Sequence, residues 1–85
     1  GLFKKALFIE KSEVHWIRTD LILNVGETME VMARIRYRQP LQEAQLIEKE
    51  GTYFILFKHK QKGVTPGQFA AWYLDNELIG SGVIA

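Results

Sequence analysis

Apolar and polar positions alternate with a period of two along most of this chain, the period of side chains on a β-strand. The clearest run sets Met29, Val31, Ala33, Ile35 and Tyr37 against Glu30, Met32, Arg34, Arg36 and Arg38. It predicts a strand with one apolar and one basic face, ended at Gln39-Pro40 because proline cannot donate to the ladder. Short apolar runs at Ala6–Ile9 and Val14–Ile17 predict two further strands, with polar Glu10–Glu13 between them. Arg18-Thr19-Asp20 breaks the pattern, Leu21 to Val25 resumes it weakly, and Gly26-Glu27 reads as a turn. Ala44, Leu46 and Glu48 alternate within Gln42–Lys49. The charge and glutamines there suit an exposed or edge strand, and the good helix formers of Leu41–Glu50 leave a helix open. The Glu50-Gly51 turn and the following Thr52–Lys58 favour a hairpin.

Thr52 to Phe57 is apolar on both faces, which predicts a central, buried strand. Lys58 to Gly63 is basic and reads as a solvated loop. A corner follows at Val64–Gln68, built on Pro66-Gly67. Phe69–Leu74 and Glu77–Ile84 then pair across Asp75-Asn76, where Asn tolerates the positive φ of a tight turn. Gly80 and Gly82 flank Ser81 and mark a bulge or a close backbone approach. A phosphate-cradling loop would need a helix N-terminus or a longer glycine run, and neither is present. About six short strands with turns between them predict an all-β fold, a small six-stranded antiparallel barrel. Its expected core includes Phe8, Ile35, Phe54, Leu56, Ala70, Trp72 and Ile79.

Length narrows this to one domain over residues 1–85. A net charge of +1 predicts no nucleic-acid partner by itself, so only a local basic patch could supply one. The chain has no cysteine, which removes disulfides, thiolate metal sites and a cysteine nucleophile. That fits a reducing compartment, and a cytoplasmic location is expected. No apolar run approaches the ~18 residues of a membrane span. Gly1 to Lys5 lacks the apolar core of a signal peptide and an initiator methionine. With the small size, this suggests a piece of a larger protein.

His15 invites a metal or general-base reading, but His59 is the other histidine and no His/Asp/Glu set has ligand spacing. The expected role of His15 is structural, with no catalytic or metal-binding residue in the chain. The basic face offers more. Three arginines at roughly 7 Å intervals along a strand suit successive phosphates, each guanidinium binding bidentately. Tyr37 falls on the apolar face by alternation, yet could stack on an exposed base. Gln68 could read a base edge or tie its own corner together.

Three blocks carry a family resemblance. Ala33-Arg34-Ile35-Arg36-Tyr37-Arg38-Gln39 resembles the A-K-I-R-Y-R-Q strand of the bacterial tRNA-specific 2-thiouridylases, with Arg34 in place of lysine. Val64-Thr65-Pro66-Gly67-Gln68, Ala71-Trp72-Tyr73 and Ile79-Gly80-Ser81-Gly82-Val83-Ile84 resemble its V-T-P-G-Q, V-F-Y and L-G-G-G-V-I sequence. Val14-His15-Trp16-Ile17 is similar to an upstream l-n/h-W-i segment. The blocks keep the family's order from Val14 to Ile84. Departures are Glu30-Val31-Met32 where the family has a cysteine-threonine entry, Asp75-Asn76 for Asp-Gly, and Ser81 for a glycine. Leu2 to Lys11 matches poorly, as a lineage-specific edge strand would.

The resemblance implies the C-terminal barrel of a three-domain enzyme, similar to the second domain of translation elongation factors. It implies a parent that uses ATP to adenylate the wobble uridine of Lys, Glu and Gln tRNAs. A cysteine persulfide, charged by a sulfur-donor protein through other domains, then makes 2-thiouridine. The nucleotide loop and cysteines of that chemistry are absent from this sequence, so the fragment itself is expected to be non-catalytic and without a cofactor. The positions matching the family's tRNA contacts are Arg36, Tyr37 and Gln68, with Arg34 and Arg38 beside them on the basic face. The competing readings are a structural or protein-interaction barrel and a translation-factor-like barrel that contacts ribosomal RNA or nucleotide-bound neighbours.

Overall fold

A computed structural model describes residues 3–85, with side chains from residue 6 onward. Gly1 and Leu2, part of the N-terminal start considered above, lie outside the described residues. Seven strands form: β1 (Phe3–Glu10), β2 (Val14–Trp16), β3 (Thr28–Arg34), β4 (Gln42–Lys49), β5 (Thr52–Lys62), β6 (Phe69–Leu74) and β7 (Glu77–Val83). They make one antiparallel sheet in the order β1-β5-β4-β3-β6-β7-β2. The fold is the expected all-β barrel, with seven strands rather than six. No described residue is in an α-helix, so Leu41–Glu50 takes the strand alternative.

The outermost strands, β1 and β2, are joined by a single 3-10 turn at Lys11–Glu13, which curls the sheet back on itself. Ala85 N donates to Phe8 O at 3.0 Å. Gly82 of β7 sits so near β1 that a Cβ there would lie 2.8 Å from Ile9 Cγ2. These contacts nearly close the barrel, leaving little free edge.

Inside it lie Leu7, Ile9, Val31, Ala33, Leu46, Tyr53, Ile55, Phe57, Trp72 and Ile79. Trp16 stands edge-on to Trp72 and Tyr53, at centroid distances of 5.8 and 6.1 Å, a favoured aromatic geometry. The type of each strand was legible, but the facing of two was not. Phe8 (47% exposed) and Leu56 (38%) point outward, and Phe54 is half-buried. A run apolar on both faces carries no parity signal. The pairs Phe8↔Phe54 and Ala6↔Leu56 place these side chains together outside, with the two Phe rings 6.0 Å apart. Ile35, Ala70, Trp72 and Ile79 are buried as expected.

Three further expectations change. β4 lies between β3 and β5 and is not an edge. Lys58–Lys62 continues β5 instead of forming a loop, because Lys62 and Gln61 pair with Phe3 and Lys4. The basic strand stops at Arg34. There Gln39 Oε1 accepts from Ile35 N at 3.0 Å, and Gln39 N donates to Arg36 O at 3.1 Å. The chain turns under its own glutamine, well before Pro40.

A basic and aromatic groove at the end of strand three

Arg34 ends β3 directly opposite Ala71 of β6, so both side chains share the outer face of the sheet. Its guanidinium donates from Nη2 to Tyr73 Oη at 2.9 Å. Its Cζ lies 5.2 Å from the ring centroids of both Tyr37 and Tyr73, within cation–π range. Arg36 and Tyr37 project from the following turn. Arg36 Nη2 donates to Gly63 O at 3.1 Å, which ties the turn to the end of β5. Gly63 has φ +72°, and a side chain there would collide with the Arg36 guanidinium.

The turn is anchored from below. Gln39 Nε2 donates to Oε1 of buried Gln61 at 2.5 Å, and Gln61 Nε2 donates to His59 O at 2.9 Å. On the far side, Gln68 Oε1 accepts from Thr65 N at 2.9 Å. The Gln68 carbonyl accepts from Ile84 N at 2.8 Å, and Gly67 N donates to Ile84 O at 2.8 Å. Gln68 thus ties its own corner, the second of its two alternatives, while its Nε2 has no partner among the described residues.

Arg34, Arg36, Tyr37 and Gln68 line one open groove of about 480 Å³ together with Phe69 and Tyr73. Four of the five expected residues are therefore brought together. Arg38 is exposed on the same turn but does not line the groove. The even row of three arginines does not form, because only Arg34 is on the strand. Tyr37, placed on the apolar face by alternation, is 87% exposed, because the turn begins before it. Tyr73 and Phe69 were missed. The signal was the outward parity of β6, which puts Phe69, Ala71 and Tyr73 on the face opposite Ala70 and Trp72.

Among the described residues no carboxylate lines this groove. A larger one, of about 660 Å³, is bordered by Glu30, Glu43 and Asp75, and its Lys58 is paired with Glu43 at 3.1 Å. It is the wrong sign for a phosphate. Elsewhere, Arg18 grips both oxygens of Asp20 at 2.9 and 2.8 Å and holds that carboxyl below its ordinary range, chiefly by hydrogen bonding. Arg18 also reaches Glu77 at 2.8 Å. His15 of β2 is exposed, opposite Ser81 of β7. Among the described residues no cluster of three or more His, Cys, Asp or Glu could hold a metal.

Fold and groove define a small antiparallel barrel module with one cationic, aromatic face. The chain belongs to the aminomethyltransferase β-barrel domain family, whose family model matches residues 7–84. It is 62% identical over its whole length to a tRNA-specific 2-thiouridylase MnmA of Flavobacterium johnsoniae. It is 48% and 41% identical, again over its whole length, to proteins of the same name from Christiangramia forsetii and Karelsulcia muelleri. It spans 22% of the length of each of these relatives and corresponds to their C-terminal part. The alignments to these relatives run over Leu2 to Lys11 as well, whereas the family model begins at residue 7.

Proposed function

We propose that this chain is the tRNA-holding barrel of a 2-thiouridylase, contributing grip while chemistry occurs elsewhere in the full-length protein. The observation that carries this is the groove. Among the described residues, two guanidiniums, an exposed tyrosine and the unpaired Gln68 amide nitrogen converge there without a carboxylate. Arginine forks suit phosphate oxygens, and exposed aromatic faces suit unstacked RNA bases. Arg36 makes the main phosphate contact, Arg34 orients Tyr37 and Tyr73, Gln68 offers its amide nitrogen, and Arg38 flanks the site. The names of the relatives support the tRNA substrate. The finer steps follow the family: ATP-dependent adenylation of the wobble uridine in Lys, Glu and Gln tRNAs, sulfur supplied through a donor protein, and a cytoplasmic setting.

One observation favours a purely structural barrel instead: Arg34 and Gln68 already spend hydrogen bonds inside the domain. Steady-state thiolation by the full-length enzyme separates the two. Arg36→Ala is expected to raise KM for tRNA and leave kcat unchanged, the pattern of lost binding shared by ground and transition states. An unchanged KM favours the structural barrel.

A further inference from the structure

Phe69 is the groove residue that the proposed phosphate contacts leave unexplained. It opens β6 and is 68% exposed, on the corner that Gln68 fastens. Large aromatic side chains are usually buried for their apolar area, and Ala70 and Trp72 of the same strand are. Phe69 faces outward with Ala71 and Tyr73. At about 3.3 Å per residue, its Cβ lies ~13 Å from that of Tyr73, with Ala71 midway. The floor between the two rings is thus a methyl group, and the Tyr73 wall carries the Arg34 guanidinium and Tyr37.

Charge complementarity selects the occupant. The lining has two arginines and no acid, so the ligand is anionic. An acidic peptide would meet the arginines and leave the aromatic walls in water. A nucleotide with its base out of the stack meets both, presenting a flat π-face beside a phosphate, whereas a paired base has no free face to offer. We infer that Phe69 stacks on an unstacked base of the bound RNA while Arg36 holds an adjoining phosphate. This rests on the tRNA-holding function above and adds to it a residue that reads single-stranded or extruded nucleotides.

The test uses the full-length enzyme and an unmodified tRNA transcript, with Phe69→Ala, Phe69→Leu, Phe69→Trp and Arg36→Ala. Stacking on an aromatic contributes enough that Phe69→Ala and Phe69→Leu should weaken binding about 5- to 150-fold. Phe69→Trp should bind at least as well as wild type. All three Phe69 variants should keep the wild-type salt dependence, because no charge is removed, and the wild-type melting temperature. Wild-type binding by Phe69→Ala beside weakened binding by Arg36→Ala overturns the inference and leaves the tRNA-holding function standing. Wild-type binding by both removes that function as well. If Phe69→Leu binds like wild type, the ring is apolar cover and the stacking inference is wrong. A lowered melting temperature for full-length Phe69→Ala would show the ring covered by another part of the protein, and would also overturn it.

Discussion

Two residues show how tightly this small barrel is specified. Gly80 leaves room for the Trp72 indole: a Cβ there would sit 2.5 Å from Nε1 and 2.7 Å from Cε2. The backbone of β7 approaches the core directly, as the Gly-Ser-Gly sequence suggested. Gly80→Ala is expected to lower unfolding stability by about 1–3 kcal/mol through overpacking, seen as a lower midpoint in urea. An unchanged midpoint would mean Trp72 repacks freely. Glu48 is the second case. It is buried, and its carboxylate accepts from Gly26 N at 3.1 Å and Gly51 N at 3.3 Å, with Lys11 3.9 Å away. One side chain therefore pins two turns. Glu48→Ala leaves both amides short of their acceptor and should lower stability by about 1–3 kcal/mol. Glu48→Gln keeps a carbonyl acceptor and should lose less.

At the scale of elements, the turn after β3 decides the site. Gln39 holds it by accepting from Ile35 N and donating to Gln61. Gln39→Ala should speed amide exchange at Ile35 and at the turn residues Arg36–Arg38, with little change in β4, measured by hydrogen exchange of the folded protein. Uniform acceleration across the sheet would contradict a local anchor. This turn also marks where the sequence stopped being legible. Alternation from Met29 to Tyr37 is continuous, and nothing local says that the Gln39 side chain will capture Ile35 N and end the ladder early. Hairpins were legible because their turns state their chemistry: Asp75 and Asn76 adopt φ +49° and +65°, and Glu50-Gly51 adopts +51° and +84°. The facing of β1 and β5 was hidden, since apolar residues on both faces fit either parity. For the groove, the residue types were readable and the parity of β6 already set Phe69 and Tyr73 outward, but their place, and that of Gln68, beside Arg34 and Tyr37 emerged only when β6 was set beside β3.

At the scale of the whole molecule, this is a near-neutral barrel that sets two arginines beside exposed aromatic rings in one groove. The overall charge of +1 gives no general attraction to RNA, so the proposed grip is local, in the groove that Arg34, Arg36, Tyr37, Gln68, Phe69 and Tyr73 line. Arg36 commits one of its five N–H donors to Gly63 O, which positions the fork and leaves the others without a partner among the described residues. The most direct measurement is the affinity of the full-length enzyme for tRNA as a function of salt, for wild type, Arg36→Ala and Gln68→Ala. Each neutralised phosphate releases condensed counterions, so removing one arginine contact should weaken binding and flatten the log–log slope by about one contact. Gln68→Ala removes no charge and should keep the wild-type slope, with any loss of affinity independent of salt. Wild-type affinity and a parallel slope for Arg36→Ala would contradict a phosphate contact, and the groove would then be solvated surface on a structural barrel.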